Sequence, residues 1–406
     1  MNVISNRLTN RELRLSTADQ VTSSLSNLVF VVLIAQSSSS EVFAQISTIW
    51  TIVSFSVVIA RSVFGVPLLL DGKLFSANTN PSITGARSGA FLLGIPALLG
   101  SIGLFVFAKG DSGLPFLILA ACIPLILLQD FGRYLAIASG GSKDALVSDL
   151  ILLAPLAIGS LFAVFDLLPV NANAASGILL SGLILSMFTF RKYEVLKLSI
   201  GHFRSLVSND ISRRKKLLQE ALLNAFTAVA SVAAVWIAYE SDYVAAFNGA
   251  LYILAPITLA LLVVNLVIQQ GVSQSKGIVH RREYGIFGAL LFAAFLWTFI
   301  VANLPEGLGS ALLGVTWSLV QPIVIPMAAV LSLSLVLEFV LMVFRARGQF
   351  SLIVSIRVLV SIASPCAYVI AGLSGYSLDL ALFIVAAALF ILVAGLYIRS
   401  KSFFLR

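Results

Sequence analysis

Residues 113–139 read GLPFLILAACIPLILLQDFGRYLAIAS. From Gly113 to Leu128 nothing is charged, and then Asp130 and Arg133 follow three residues apart. An apolar run of this length spans a bilayer core of roughly 30 Å, which takes about 20 residues of helix. Three residues apart on a helix is one face, so the acid and the base are neighbours. An ionisable side chain at that depth costs on the order of a few kcal/mol unless it is paired or wet. The stretch is therefore a transmembrane helix with charge placed inside it on purpose.

The rest of the chain repeats this pattern. Of 406 residues, 59% are hydrophobic and 11% charged, and the mean hydropathy is +1.03, whereas a soluble domain carries about 25% charged residues. Apolar runs and their breaks predict spans near 18–36, 42–70, 87–108, 113–139, 145–166 and 173–191, then 217–239, 243–270, 285–303, 309–344, 350–371 and 376–398. The expectation is an all-α integral membrane protein of about 12 transmembrane helices. It forms two six-helix lobes, 1–191 and 217–406, around a central cavity, joined by a basic cytoplasmic linker at 192–216. Shifting the second half by 201 residues sets Asp19 on Glu220 and Glu41 on Asp242, which supports halves of equal size. Arg7, Arg11 and Arg14 followed by Ala35-Gln36-Ser37 resemble a signal peptide, but Asp19, Ser23, Ser24, Ser26 and Asn27 are too polar for its core and suit a first helix facing a wet interior.

Orientation follows from the cations, because Lys and Arg stay in cytoplasmic loops. With both termini in the cytoplasm, 22 of the 26 Lys and Arg fall in cytoplasmic segments. Lys109 alone faces outward, and Arg61, Arg133 and Arg357 lie within spans. The net charge of +8 then reads as topology and as attraction to anionic lipids rather than to nucleic acid. Cys122 and Cys366 sit in apolar runs of different segments and read as small hydrophobes. No nucleotide-binding loop, metal spacing or nucleophile motif appears, so no catalytic residue, metal or cofactor is assigned.

Depth decides which buried charges meet. Arg61 lies ten residues before Asp71 and Asp130 ten before Gly140, which puts both about 15 Å from the cytoplasmic end at 1.5 Å per residue. Asp149 enters one turn into span 5, and Asp19 stands at the cytoplasmic mouth of span 1. In the second half, Glu338 and Arg357 are each seven residues from the cytoplasmic ends of spans 10 and 11, so their depths match. Such pairs lock helices together or mark a pathway. Arg61 precedes Gly65 and Pro67, residues that loosen a helix, and loosened helices line cavities. A guanidinium grips phosphate oxygens with two parallel hydrogen bonds. Arg61, helped by Arg133 and Arg357, is expected to hold an anionic headgroup, with Asp130, Asp149, Glu338 and Asp19 as ion-pair partners or coupling acids. Pro322 and Pro326 predict a bend in span 10.

The segments Ala18-Asp19-Gln20-Val21-Thr22-Ser23-Ser24-Leu25-Ser26-Asn27, Glu41-Val42-Phe43-Ala44 and Arg61 through Pro67 resemble the first two helices of bacterial polysaccharide-transport proteins. These O-antigen or teichoic-acid-type flippases belong to the multidrug/oligosaccharidyl-lipid/polysaccharide exporter superfamily, which also holds MATE drug exporters and lipid II flippases. Gln129-Asp130-Phe131-Gly132-Arg133-Tyr134 is similar to a Gln-Asp-x-x-Arg-Tyr signature of the same proteins, and Asp149 matches an acid that follows it. The chain departs at Val66, where relatives often carry an acid before the proline. The resemblance implies a flippase of the bacterial cytoplasmic membrane that carries a polyprenyl-diphosphate-linked oligosaccharide outward by alternating access. It implies a lipid-linked glycan as substrate and polysaccharide-assembly proteins as partners. The competing expectation is a cation-coupled MATE-like drug or metabolite antiporter. A membrane glycosyltransferase would need catalytic acids in a large loop, and the longest connection here is short and basic.

Overall fold

The computed structural model describes residues 10–65, 81–107, 113–165, 167–264 and 279–404, together with 268 and 272. Every regular element among them is a helix, and ten helices are long and apolar enough to cross a membrane. The chain is a multi-pass all-α membrane protein. Its contacts divide it into two compact units, Met1–Ala225 and Phe226–Arg406.

In the first unit, α1 (Asn10–Ser37) and α2 (Ser40–Ala60) are separated by Ser39, whose hydroxyl accepts the Val42 N–H at 3.4 Å and so caps α2. The third span is two helices, α3 (Pro81–Leu92) and α4 (Ile95–Phe107), parted at Leu93–Gly94 just before Pro96. It begins earlier than its hydropathy suggested, which carries Arg87 inside the helix. Then come α5 (Leu114–Ala138), α6 (Ser142–Val164) and α7 (Ala172–Met187), the last continued by a 3₁₀ turn, Phe188–Tyr193. Asn171 caps α7 by accepting the Ala174 N–H at 2.9 Å. Pro124 and Pro155 stay inside α5 and α6. Helix α1 packs along α6, while α5 lies against α4, α6 and α7. The rings of Phe30 and Trp50, 4.5 Å between centroids, join α1 to α2.

Most of the expected linker is helical. Helix α8 (Ile200–Ala238) runs for 39 residues, from the basic stretch into the seventh span without a break. The expected eighth span is interrupted. Helix α9 (Ser241–Ile253) ends at Leu254 and α10 (Ala255–Val263) begins beside it, because Pro256 has no N–H to continue the ladder. Beyond Val264 most of that span lies outside the described residues.

The second unit continues with α11 (Arg281–Ala302) and α12 (Glu306–Leu313). A 3₁₀ turn Gly314–Thr316, one α turn Trp317–Val320 and a second 3₁₀ turn Gln321–Ile323 lead into α13 (Val324–Ala346). Pro322 sits in the second 3₁₀ turn as the sequence suggested, but the larger break is upstream. Gly314 has φ 57° and ψ −142°, a conformation that side chains resist. Pro326 falls in the first turn of α13, where a missing N–H disturbs nothing. Helices α14 (Phe350–Leu373) and α15 (Leu378–Phe404) complete the chain, and α15 packs on both α13 and α14. Phe287 of α11 stacks on Phe339 of α13 with centroids 4.1 Å apart, in a core shared with Leu335, Met342 and Val343.

Candidate functional site

The buried charges of the first unit converge. Arg133 of α5 is the hub, with 1% of its surface exposed. Its Nη2 meets Asp19 Oδ2 at 2.7 Å and its Nε meets Asp19 Oδ1 at 3.3 Å, two parallel bonds that clamp α1 to α5. Nη1 donates to the Ser23 hydroxyl at 2.8 Å and to Asp130 Oδ1 at 3.2 Å. Nε also lies 3.1 Å from Asp149 Oδ2 of α6. Every guanidinium nitrogen of Arg133 is engaged. Among the described residues no group of three or more His, Cys, Asp or Glu is arranged to hold a metal ion. The guanidinium stands where three carboxylates would otherwise gather around a cation.

Arg61 differs. Its Nε lies 3.0 Å from both Asp130 oxygens and its Nη2 lies 2.6 Å from Oδ1. Its Nη1 bonds to none of the described residues, and 23% of the side chain is exposed. The Arg61 carbon Cζ lies 6.0 Å from the centre of the Tyr134 ring, within reach of a cation–π contact. Arg61 opens a π-helical turn, Arg61–Gly65, in which the Ser62 hydroxyl donates to the Val58 carbonyl at 2.9 Å. A Cβ on Gly65 would lie 2.7 Å from the Tyr134 ring, so only glycine lets that ring close over the turn. Loosening of span 2 was expected from Gly65 and Pro67. The π form is its cause among the described residues, and Pro67 lies outside them.

The site continues through uncharged groups. Gln129 donates to Asp149 Oδ1 at 2.7 Å and to the Ser148 hydroxyl at 3.2 Å, and Ser148 reaches the Ser186 carbonyl of α7 at 3.4 Å. Ser23, Ser26 and Asn27, one helical stripe on α1, face a cavity of about 140 Å³ with Arg61, Gln129 and Asp130. Its far wall is apolar, built by Leu152, Leu156, Leu179 and Leu183. With all groups ionised, three carboxylates face two guanidiniums, which among the described residues leaves one negative charge without a matching cation.

Arg61, Arg133, Asp130, Asp149 and Asp19 thus belong to one network. Depth along the helices anticipated most of it. Asp19, expected at the helix mouth and as an ion-pair partner or coupling acid, is fully buried and paired with Arg133. Gln129 and Tyr134 enter the sequence reading only within the signature and Ser23 only as part of a polar stripe, none of them as a site residue. For Ser23 the signal was present, since it lies one turn from Asp19. In the second unit Glu338 of α13 pairs with Arg357 of α14, both buried, and the Thr227 and Ser361 hydroxyls meet at 2.7 Å. Arg87, placed by sequence in a loop, is 1% exposed and bonds to the carbonyls of Lys197 and Tyr193.

No protein-family model matches the chain, and no curated protein matches it. Solved structures do. The lipid II flippase MurJ in an inward closed conformation superposes with a TM-score of 0.66 at 15% identity, over 96% of this chain and 87% of that one. An inward-facing multidrug resistance MATE family transporter of the MOP superfamily gives 0.58 at 12%, over 94% and 98%. A MATE protein in complex with MaL6 gives 0.55 at 13%, over 95% and 96%. At such identities the likeness shows the fold alone, one shared with these three solved structures.

Proposed function

We propose that the chain is a flippase that moves a polyprenyl-diphosphate-linked oligosaccharide across the cytoplasmic membrane by alternating access, with both termini in the cytoplasm. The observation that carries this reading is the open edge of Arg61. Its Nε and Nη2 are fixed on Asp130 while Nη1 is left over at a polar cavity inside a membrane helix bundle. A guanidinium held on one edge and free on the other is pre-oriented for a phosphate oxygen, and water exclusion strengthens that bond. Arg133 is surrounded by three carboxylates and Arg357 is buried on Glu338, so in this reading they position helices while Arg61 alone touches the headgroup. The likeness in fold to a lipid II flippase supports a scaffold suited to lipid-linked cargo.

Replacing Arg61 with Ala is expected to lower flipping of a lipid-linked oligosaccharide in proteoliposomes by about 10–100-fold, the equivalent of one charge-assisted hydrogen bond. The protein should still insert and remain monodisperse. Undiminished flipping by a well-inserted variant sinks the assignment.

The surplus carboxylate supports a second reading, a cation-coupled antiporter, because an acid without its own cation is a place for H⁺ or Na⁺. Asp149 is the acid for that role, being held by Gln129 and only edge-on to Arg133. Efflux of organic cations driven by a proton or sodium gradient, with no glycan flipping, would favour it.

A further inference from the structure

The connection between the 3₁₀ turn after α7 and the start of α8 is fastened from inside. Arg87 donates to the Lys197 carbonyl at 2.8 Å and to the Tyr193 carbonyl at 3.1 Å, and the Ser88 hydroxyl accepts the Ser199 N–H at 2.8 Å. Phe190 and Val195 are buried beneath it. The outer side of this fixed wall bounds a groove of about 650 Å³, inside the range of roughly 300–1,000 Å³ in which small ligands are held.

The groove is mostly apolar, with a net basic charge. Leu125, Ile184, Phe188 and Leu196 line it together with Arg191, Lys197 and one acid, Glu194. Ile184 and Arg191 are seven residues apart, about 12 Å along the last α turn and the 3₁₀ turn that continues it. That distance runs from the hydrocarbon region of a bilayer to its boundary. Ile184 and Phe188 are exposed, whereas Leu179 and Leu183 of the same helix line the Arg61 cavity, so the groove opens to lipid on another face of α7. Arg191 has no ion pair or side-chain hydrogen bond among the described residues. Lys197 holds only the exposed Glu194 at 3.3 Å, a contact of the kind worth little in water.

We propose that this groove seats one anionic phospholipid of the surrounding membrane, with an acyl chain along Ile184 and Phe188 and the phosphate against Arg191 and Lys197. A zwitterionic lipid carries its own cation and loses the advantage of the net basic charge, and free phosphate leaves the apolar lining empty. The site gives a location to the attraction for anionic lipid expected from net charge. It is independent of the cargo carried through the Arg61 cavity.

The test is native mass spectrometry of the full chain extracted from vesicles of equal phosphatidylglycerol and phosphatidylcholine. The wild type is expected to retain one phosphatidylglycerol with a preference of about 25-fold, about fivefold for each of the two basic residues at a membrane surface. Arg191→Gln with Lys197→Gln should bring the preference to parity, and Leu196→Trp, which fills the groove without changing charge, should lower occupancy. Arg281→Gln with Arg282→Gln removes as much charge from exposed positions of α11 and should change nothing. An unchanged preference in the first double variant, an equal loss in the second, or displacement of phosphatidylglycerol by an equimolar polyprenyl diphosphate would overturn the proposal.

Discussion

The two units bury charge in opposite ways. In the first, five ionisable side chains from α1, α2, α5 and α6 share bonds, the carboxylates outnumber the cations, and one guanidinium keeps an open edge. In the second, Glu338 and Arg357 pair with each other and are both buried. A closed pair needs only to offset its own desolvation, and apolar residues of equal volume do that as well or better. An open network with surplus charge has a different demand, and in the function proposed above its geometry is kept for an anionic headgroup. The contrast separates charge that fastens helices from charge that waits for a partner.

The largest effect should come from the hub. Arg133→Met leaves Asp19, Asp130 and Asp149 crowded without their shared cation, and losing one partner of a buried pair already costs about 3–5 kcal/mol. Thermal unfolding in detergent should show a loss at least that large. A variant of near wild-type stability would mean that water already reaches the cluster. The second unit offers the sharper contrast. Arg357→Met alone should cost about 3–5 kcal/mol, while Glu338→Met with Arg357→Met should recover most of it and keep transport. If the double variant is stable but does not transport, the pair is part of the pathway and the distinction between units fails. Smallest is Tyr134→Leu, which removes a cation–π contact worth about 0.5–1 kcal/mol. It should weaken flipping a few-fold with little change in unfolding temperature, because Arg61 keeps Asp130.

Hydropathy located nearly all of the spans, and helix rise alone matched the depths of Arg61 with Asp130 and of Glu338 with Arg357. Those inferences need only 1.5 Å per residue and a common starting level. Asp19 was expected as an ion-pair partner, but its full burial was not legible, because it depends on how α1 turns against α5 and α6, which no rise per residue contains. Arg87 escaped for another reason. A cation near a predicted loop looks solvated, and its true partners are backbone carbonyls that carry no mark in the sequence. Prolines were read as bends, correctly for Pro322, but the larger break at Gly314 depends on a positive φ that one glycine among 28 does not announce. At Leu254 the signal was plain in Pro256, a break inside the expected span that the sequence already marks although hydropathy runs straight through it.

The π turn at Arg61–Gly65 behaves like a dislocation in a crystal row. It is one surplus residue absorbed without a loop, and such a fault can migrate. Moving it by one position rotates only the residue it passes, by about 100°, and leaves α2 before it in place. Arg61 sits at the edge of that fault, so its guanidinium has a hinge of its own, finer than any motion of a whole helix.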